Sequence, residues 1–257
     1  MKIAACQMHI LWEQKEENIR RAERFVGEAA KDGAELILFP EMSFTGFSMN
    51  IDCTADKEQE TITCMKGLAQ KYGVDIGFGW VRKCGNKGEN HYSVVDKFGN
   101  FCADYIKIHP FGCSEEGEYF NKGEKIVEFS LNGRTITPFI CYDLRFPEIF
   151  QGASKRSDII LVAANWPESR REHWRCLLRA RAIENQCYII GINCVGQVGD
   201  LMYSGDSVMI APDGVILEEL SYQEGLLIKE IPDDVEQYRT DFPMRLDRRT
   251  EFYKSIL

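Results

Sequence analysis

The stretch ASKRSDIILVAAN, residues 153–165, decides the fold. Its centre, DIILVAA, is continuously apolar after Asp158, so a strand built from it needs cover on both faces. The same arrangement stands earlier in the chain as AAKDGAELILFPE, residues 29–41. The surroundings repeat as well. Ahead of the first copy, residues 16–31 place Ile19, Ala22, Phe25, Val26 and Ala29 at helical spacing among charges. After it come a helical stretch at 58–72, a strand in VDIGFGWV, and the strands HYSVVD and FCADYIKI joined by the turn KFGN. After the second copy come a helix at 173–187, the strand YIIGINCV, and GDSVMIA and VILEEL joined by the turn PDG. A unit used twice implies two similar sheets. Packed together with helices outside, they form an α/β, four-layer αββα sandwich of two mixed sheets. A single Rossmann-type sheet competes, but no GxGxxG follows the first strand.

The chain has 257 residues and no linker-like or low-complexity stretch, which predicts one domain over 1–257. A formal net charge of −9 argues against nucleic acid or an anionic membrane as partner. Apolar runs fall far short of the roughly 20 residues that span a bilayer. The opening MKIAACQMHI reads as a strand start without the features of a signal peptide, which points to a cytoplasmic setting. Ten cysteines are present, but the chain is long and shows no compact framework for disulfides. With no CxxC or HxxxH, neither a metal nor a cofactor is expected. Cys6, Cys64, Cys102, Cys187 and Cys194 are read as small core residues.

Three strands end on chemistry. LILFPE ends in Glu41, ADYIKIH carries Lys107, and PFICYD ends with Cys141 and Tyr142. In α/β folds, sites gather at the carboxyl ends of strands. A thiol is only a few per cent ionised at neutral pH and needs a base, a role open to Glu41. Lys107 can offset a buried carboxylate and, with the Tyr142 N–H, donate to an oxyanion. Taken singly, Glu41 could cap a loop and Lys107 could snorkel from a strand end.

The segments LFPEMSFTGF, YIKIHPF and ICYDLRFPE resemble the three catalytic motifs of the nitrilase superfamily of carbon–nitrogen hydrolases. ANWPESRREHW, RARAIENQCYI and GDSVMIAPDG extend the resemblance over almost the whole chain. It implies Glu41 as general base, Lys107 as charge stabiliser and Cys141 as nucleophile. It also implies a second glutamate between lysine and cysteine. Glu116 matches best, with Glu115 and Glu118 as alternatives. The family's fold is the same sandwich, and its members commonly pair sandwich to sandwich, which implies a homodimer or larger homo-oligomer.

Within the superfamily the chain is most similar to the omega-amidase branch, on the NWP turn and the tail VEQYRTDFPMRLDRRTEF. That branch removes the terminal amide of 2-oxoglutaramate or 2-oxosuccinamate, so the implied partners are a small amide and water. Pro110 departs from the apolar residue expected after KIH and should shift the loop while leaving Lys107 in place. A dicarboxylate-like substrate needs a cation, and Arg145 and Arg170 are candidates. Each could instead pair with Glu148 or Glu172. Trp166 walls the pocket or fills the core. Arg171, Arg175 and Arg179 form a solvated or interface stripe on one helix, with Trp174, Leu177 and Leu178 on its core face.

Other readings remain at this level. They are an N-carbamoyl amino acid or deaminated-glutathione amidohydrolase on the same fold, a thiol hydrolase pairing Cys141 with His109 or His173 and Asn165, and a non-catalytic binding protein.

Overall fold

The computed structural model describes residues 1–256. One sheet has six strands in the order β13-β1-β2-β3-β4-β5. These are β1 (Lys2–Gln7), β2 (Leu36–Leu38), β3 (Asp75–Cys84), β4 (Lys87–Val95), β5 (Phe101–Ile106) and, from far along the chain, β13 (Gly225–Glu230). The other has seven, in the order β10-β11-β9-β8-β7-β6 with β12 beside β11. They are β6 (Phe129–Leu131), β7 (Arg134–Ile140), β8 (Ile159–Ala164), β9 (Tyr188–Asn193), β10 (Val195–Val198), β11 (Leu201–Ile210) and β12 (Ile216–Ser221). Each sheet has a parallel centre, β1-β2-β3 in one and β7-β8-β9 in the other, with antiparallel flanks.

The helices are α1 (Lys15–Lys31), α2 (Ile51–Thr54), α3 (Glu60–Tyr72), α4 (Glu116–Tyr119), α5 (Pro147–Ala153), α6 (Arg171–Asn185), α7 (Val235–Asp241) and α8 (Thr250–Lys254). None is long and apolar enough to cross a membrane among the described residues.

Strand periodicity sorts the layers. Successive side chains point to opposite faces. Ile3, Ala5, Leu36 and Leu38 join the core between the sheets, with Ile140, Leu161 and Ile190 from the other sheet. The intervening Ala4, Cys6, Ile37 and Phe39 pack outward onto Phe25 and Val26 of α1 and Met65 and Leu68 of α3. On the far side, Trp174, Leu178 and Ala182 of α6 and Phe150 of α5 cover the second sheet. The result is the expected αββα order, and it explains why DIILVAA shows no alternation: every residue of β8 is buried.

Several expectations need correction. Cys6, Cys187 and Cys194 are buried, but Cys64 is exposed on α3 and Cys102 is only half-buried on β5. The helix expected at 173–187 starts two residues earlier, at Arg171. β13, which no repeat predicts, belongs to the first sheet and pairs antiparallel with β1, Lys2 opposite Glu230. The arginine stripe is less solvated than its spacing suggests. Arg171 grips the buried Asp206 through both Nε and Nη2 at 2.7 Å, and Arg175 reaches the same carboxylate at 3.4 Å. Trp174 and Leu178 are core as expected, while Leu177 is half-buried.

Candidate active site

Glu41 leaves β2 after Pro40 and lies flat against β3. Ser43 N–H donates to the Gly79 carbonyl, and Gly79 N–H to Ser43 Oγ. A Cβ on Gly79 would come within 2.4 Å of the Met42 nitrogen, so only glycine lets this turn approach the strand. Cys141 follows β7 directly. Its φ is +44°, a left-handed conformation costly for a side-chain-bearing residue and concentrated at functional sites. The chain then enters a 3₁₀ turn over Cys141–Arg145. Tyr142, second in that turn, has an N–H with no acceptor inside it.

Asp143 ties this turn to the end of β5. Its Oδ2 accepts from Tyr105 Oη at 2.7 Å and Ile140 N–H at 3.1 Å. Its Oδ1 accepts from His109 N–H at 3.0 Å and meets His109 Nδ1 at 2.8 Å. The lysine loop and the cysteine turn are thereby fixed to one carboxylate. Pro110 is accommodated there, and Lys107 N–H still pairs with the Asn90 carbonyl at 2.9 Å.

The charged groups converge in the buried interior. Lys107 is 1% exposed, and Glu41 and Glu116 are 0%. Lys107 Nζ donates to Glu41 Oε1 at 2.8 Å and to both oxygens of Glu116 at 2.9 Å. Burial alone would pull Lys107 down, but Glu116 and Glu41 outweigh it and hold the ammonium above the ordinary lysine range. Burial raises the Glu116 carboxyl above its usual value, with Lys107 opposing. Burial also pushes the Cys141 thiol well up; Glu41 adds to the rise and Lys107 works against it. A thiol so placed rests protonated beside a carboxylate that can take its proton. Glu115 and Glu118 point to solvent, which separates them from Glu116.

Glu41 is held by more than the lysine. Asn90 Nδ2 donates to its Oε1 at 2.8 Å, and Asn165 N–H to its Oε2 at 2.9 Å. Asn165 Nδ2 also donates to the Glu41 carbonyl at 2.7 Å. Asn165 therefore serves the glutamate. The two histidines weighed as partners for the thiol are engaged elsewhere, His109 with Asp143 and His173 with Arg145.

A small cavity of about 80 Å³ opens over Cys141 and Lys107. Tyr142, Arg145, Trp166 and Arg170 line it, together with Phe47, Phe111 and Tyr203. The Arg145 guanidinium sits 4.7 Å from the Trp166 ring centre and donates to His173 Nδ1 at 3.3 Å. Arg170 lies 5.2 Å from the Phe111 ring centre. Among the described residues neither guanidinium pairs with a carboxylate; the alternatives Glu148 and Glu172 are both exposed and unengaged with them. Trp166 is 3% exposed, both wall and core, and its Nε1 donates to the Arg170 carbonyl at 2.8 Å.

Sequence reasoning missed Asn90 and Tyr203. Asn90 shares a strand face with Tyr92 and Val94, so period-two alternation could have marked it as an inward-facing polar residue. Tyr203 carries no comparable local signal.

A family model described as carbon-nitrogen hydrolase matches residues 2–240. The chain is 34% identical over 256 residues to 2-oxoglutaramate amidase of Bacillus subtilis (strain 168), covering 98% of each. It is 31% identical over 246 residues to omega-amidase YafV of Escherichia coli (strain K12), covering 95% of this chain and 94% of the relative. Among solved structures, a variant of the amidase from Nesterenkonia sp. AN1, with acrylamide added at its active-site cysteine, superposes with a TM-score of 0.89 at 27% identity over 100% of both chains.

Proposed function

The chain belongs to the carbon–nitrogen hydrolase family and is an amide-hydrolysing enzyme, and on that footing we propose that its substrate is a short dicarboxylic acid monoamide of the 2-oxoglutaramate or 2-oxosuccinamate type. The observation that carries this reading is the pair of guanidiniums, Arg145 and Arg170, beside Cys141 with no carboxylate partner among the described residues. A planar guanidinium on an aromatic face is preorganised to receive a carboxylate through two parallel N–H bonds. The named relatives, a 2-oxoglutaramate amidase and an omega-amidase, support the same class.

The chemistry follows from the positions. Glu41 takes the Cys141 proton as sulfur attacks the amide carbonyl carbon. The oxygen gains charge between Tyr142 N–H and Lys107. Lys107 Nζ lines the cavity and donates to three carboxylate oxygens, so reaching the oxyanion means giving up one of its two bonds to Glu116. One such donor contributes about 2.7–4 kcal/mol in the transition state. Glu41 then hands its proton to the amide nitrogen and ammonia leaves a Cys141 thioester. Water, deprotonated by Glu41, attacks that thioester, and the thiol regains its proton as the acid departs. Glu116 keeps Lys107 charged and aimed throughout.

The test is ammonia release from a panel of omega-amides with a free carboxylate, the matching neutral amides, and carbamoyl amino acids. Preference for the acid monoamides, lost when Arg145 or Arg170 becomes methionine, is the expected result. Equal turnover of charged and neutral amides would remove the reading, and preference for carbamoyl amino acids would replace it.

A further inference from the structure

Asn90, in the middle of β4, touches every charged member of the buried cluster. Its Nδ2 donates to Glu41 Oε1 at 2.8 Å and to Glu116 Oε1 at 3.3 Å. Its backbone carbonyl accepts the Lys107 N–H at 2.9 Å. The residue is 1% exposed, and its Oδ1 has no hydrogen-bond partner among the described residues. Turning the amide over would set that oxygen against two carboxylate oxygens, so the observed orientation is the only one the charges allow. A buried acceptor without a partner is costly, and such groups in a folded protein call for a reason. Strand pairing is not that reason, because the backbone carbonyl alone bonds to Lys107.

We propose that Asn90 is a positioning residue for the reaction, a neutral double donor that holds the Glu41 and Glu116 carboxylates apart and fixes Glu41 with its remaining oxygen lone pairs towards Cys141. This rests on Glu41 and Cys141 as base and nucleophile, but not on the identity of the amide. Two carboxylates share one ammonium here, so the cluster carries one net negative charge with both ionised. A third carboxylate at this position would oppose ionisation of the other two. A side chain without a donor would leave Glu41 Oε1 to Lys107 alone, with only the Asn165 N–H on Oε2 to resist its turning away from the thiol. The titratable groups facing Asn90 are Glu41 from the turn after β2, Glu116 from α4 and Lys107 from the end of β5, with Cys141 beyond Glu41.

The experiment compares N90D, N90S and N90A with the wild-type enzyme in two readouts. One is the pH profile of kcat/KM for amide hydrolysis, with kcat and KM resolved. The other is the rate of Cys141 alkylation by iodoacetamide, which needs no knowledge of the substrate. In N90D the limb on which activity rises with pH should move upward by about one pH unit or more. Alkylation at neutral pH should slow about tenfold, with KM within about threefold of wild type. N90S keeps one donor and should fall between wild type and N90A in kcat. Should N90D fail to fold, N90S and N90A carry the test through kcat and alkylation. Wild-type alkylation rates and pH profiles in the folded variants, with only thermal stability changed, would overturn the proposal. A wild-type protein that ignores dicarboxylic acid monoamides, yet is alkylated at Cys141 with this Asn90 dependence, would overturn the substrate reading and support the role of Asn90.

Discussion

Two strand ends that echo each other in sequence are put to different uses. β2 runs into Pro40 and Glu41; β8 runs into Asn165 and Trp166. In the echo Glu41 and Asn165 are equivalent positions, and the fold brings them together, with the Asn165 N–H on the Glu41 carboxylate and its side-chain amide on the Glu41 carbonyl. The first half of the chain supplies the charged interior of the site: Glu41, Asn90, Lys107 and Glu116. The second half supplies the sulfur and most of the cavity wall, including Tyr142, Arg145, Trp166, Arg170 and Tyr203. Under the proposed mechanism, a repeated scaffold would separate proton handling from recognition. Changes in the first half should slow every amide alike, and wall changes in the second half should alter which amide is chosen.

The largest effect expected comes from Cys141, the second-half side chain to which the proposed mechanism gives the bond-making step. Cys141→Ala should lower ammonia release by about 10⁴-fold or more while the protein melts as before, since alanine tolerates the same backbone as well as cysteine does. Residual turnover near the wild-type level would break the division of labour. Next in size is the pH response of that thiol. Its ionisation is shifted upward, so the neutral form persists to higher pH than in an ordinary cysteine. Iodoacetamide labelling should keep climbing above about pH 8.5, the range of a free thiol, and a plateau at or below neutrality would mean a preformed thiolate instead.

In the first half, Lys107→Met leaves two buried carboxylates without their cation. We expect a loss of about 3–5 kcal/mol in urea unfolding at neutral pH, larger than for any wall substitution. Much of that loss should disappear in acid, where protonation of the carboxylates relieves it. On the recognition side, Arg145→Met and Arg170→Met should raise KM for an acid monoamide by roughly 10–100-fold, the scale of a charged hydrogen bond, with little change for a neutral amide. A uniform loss on both would move these arginines to the first group. The smallest effect is assigned to Tyr203→Phe. Tyr203 lines the cavity wall, so removal of its hydroxyl should cost only a few-fold and only on substrates that reach it.

What could be read from the sequence was what local runs carry. Glu41, Lys107 and Cys141 each end an apolar run, so a strand end and a chemical group are visible in the same few residues. DIILVAA and ELILFP declare two buried sheets by lacking alternation. The rest depends on distant partners. Nothing near Asn90 says that two glutamates will face it, and nothing near Arg171 announces Asp206, 35 residues on. Cys64 and Cys102 were misplaced because a cysteine among apolar neighbours looks the same on either side of a helix or strand. The choice among Glu115, Glu116 and Glu118 needed the turn itself, which buries only the middle one of SEEGE.

The pairing of β13 with β1 has a consequence for biosynthesis. At about 5–20 residues per second, a ribosome needs roughly ten to forty seconds to travel from Gln7 to Gly225. Throughout that interval one border of the amino-terminal sheet has bare amide and carbonyl groups, the kind of template on which nascent chains aggregate. The polypeptide therefore cannot complete this sheet until β13 has emerged. Truncation ahead of residue 225 should yield insoluble material even though every group in the charged cluster is already present.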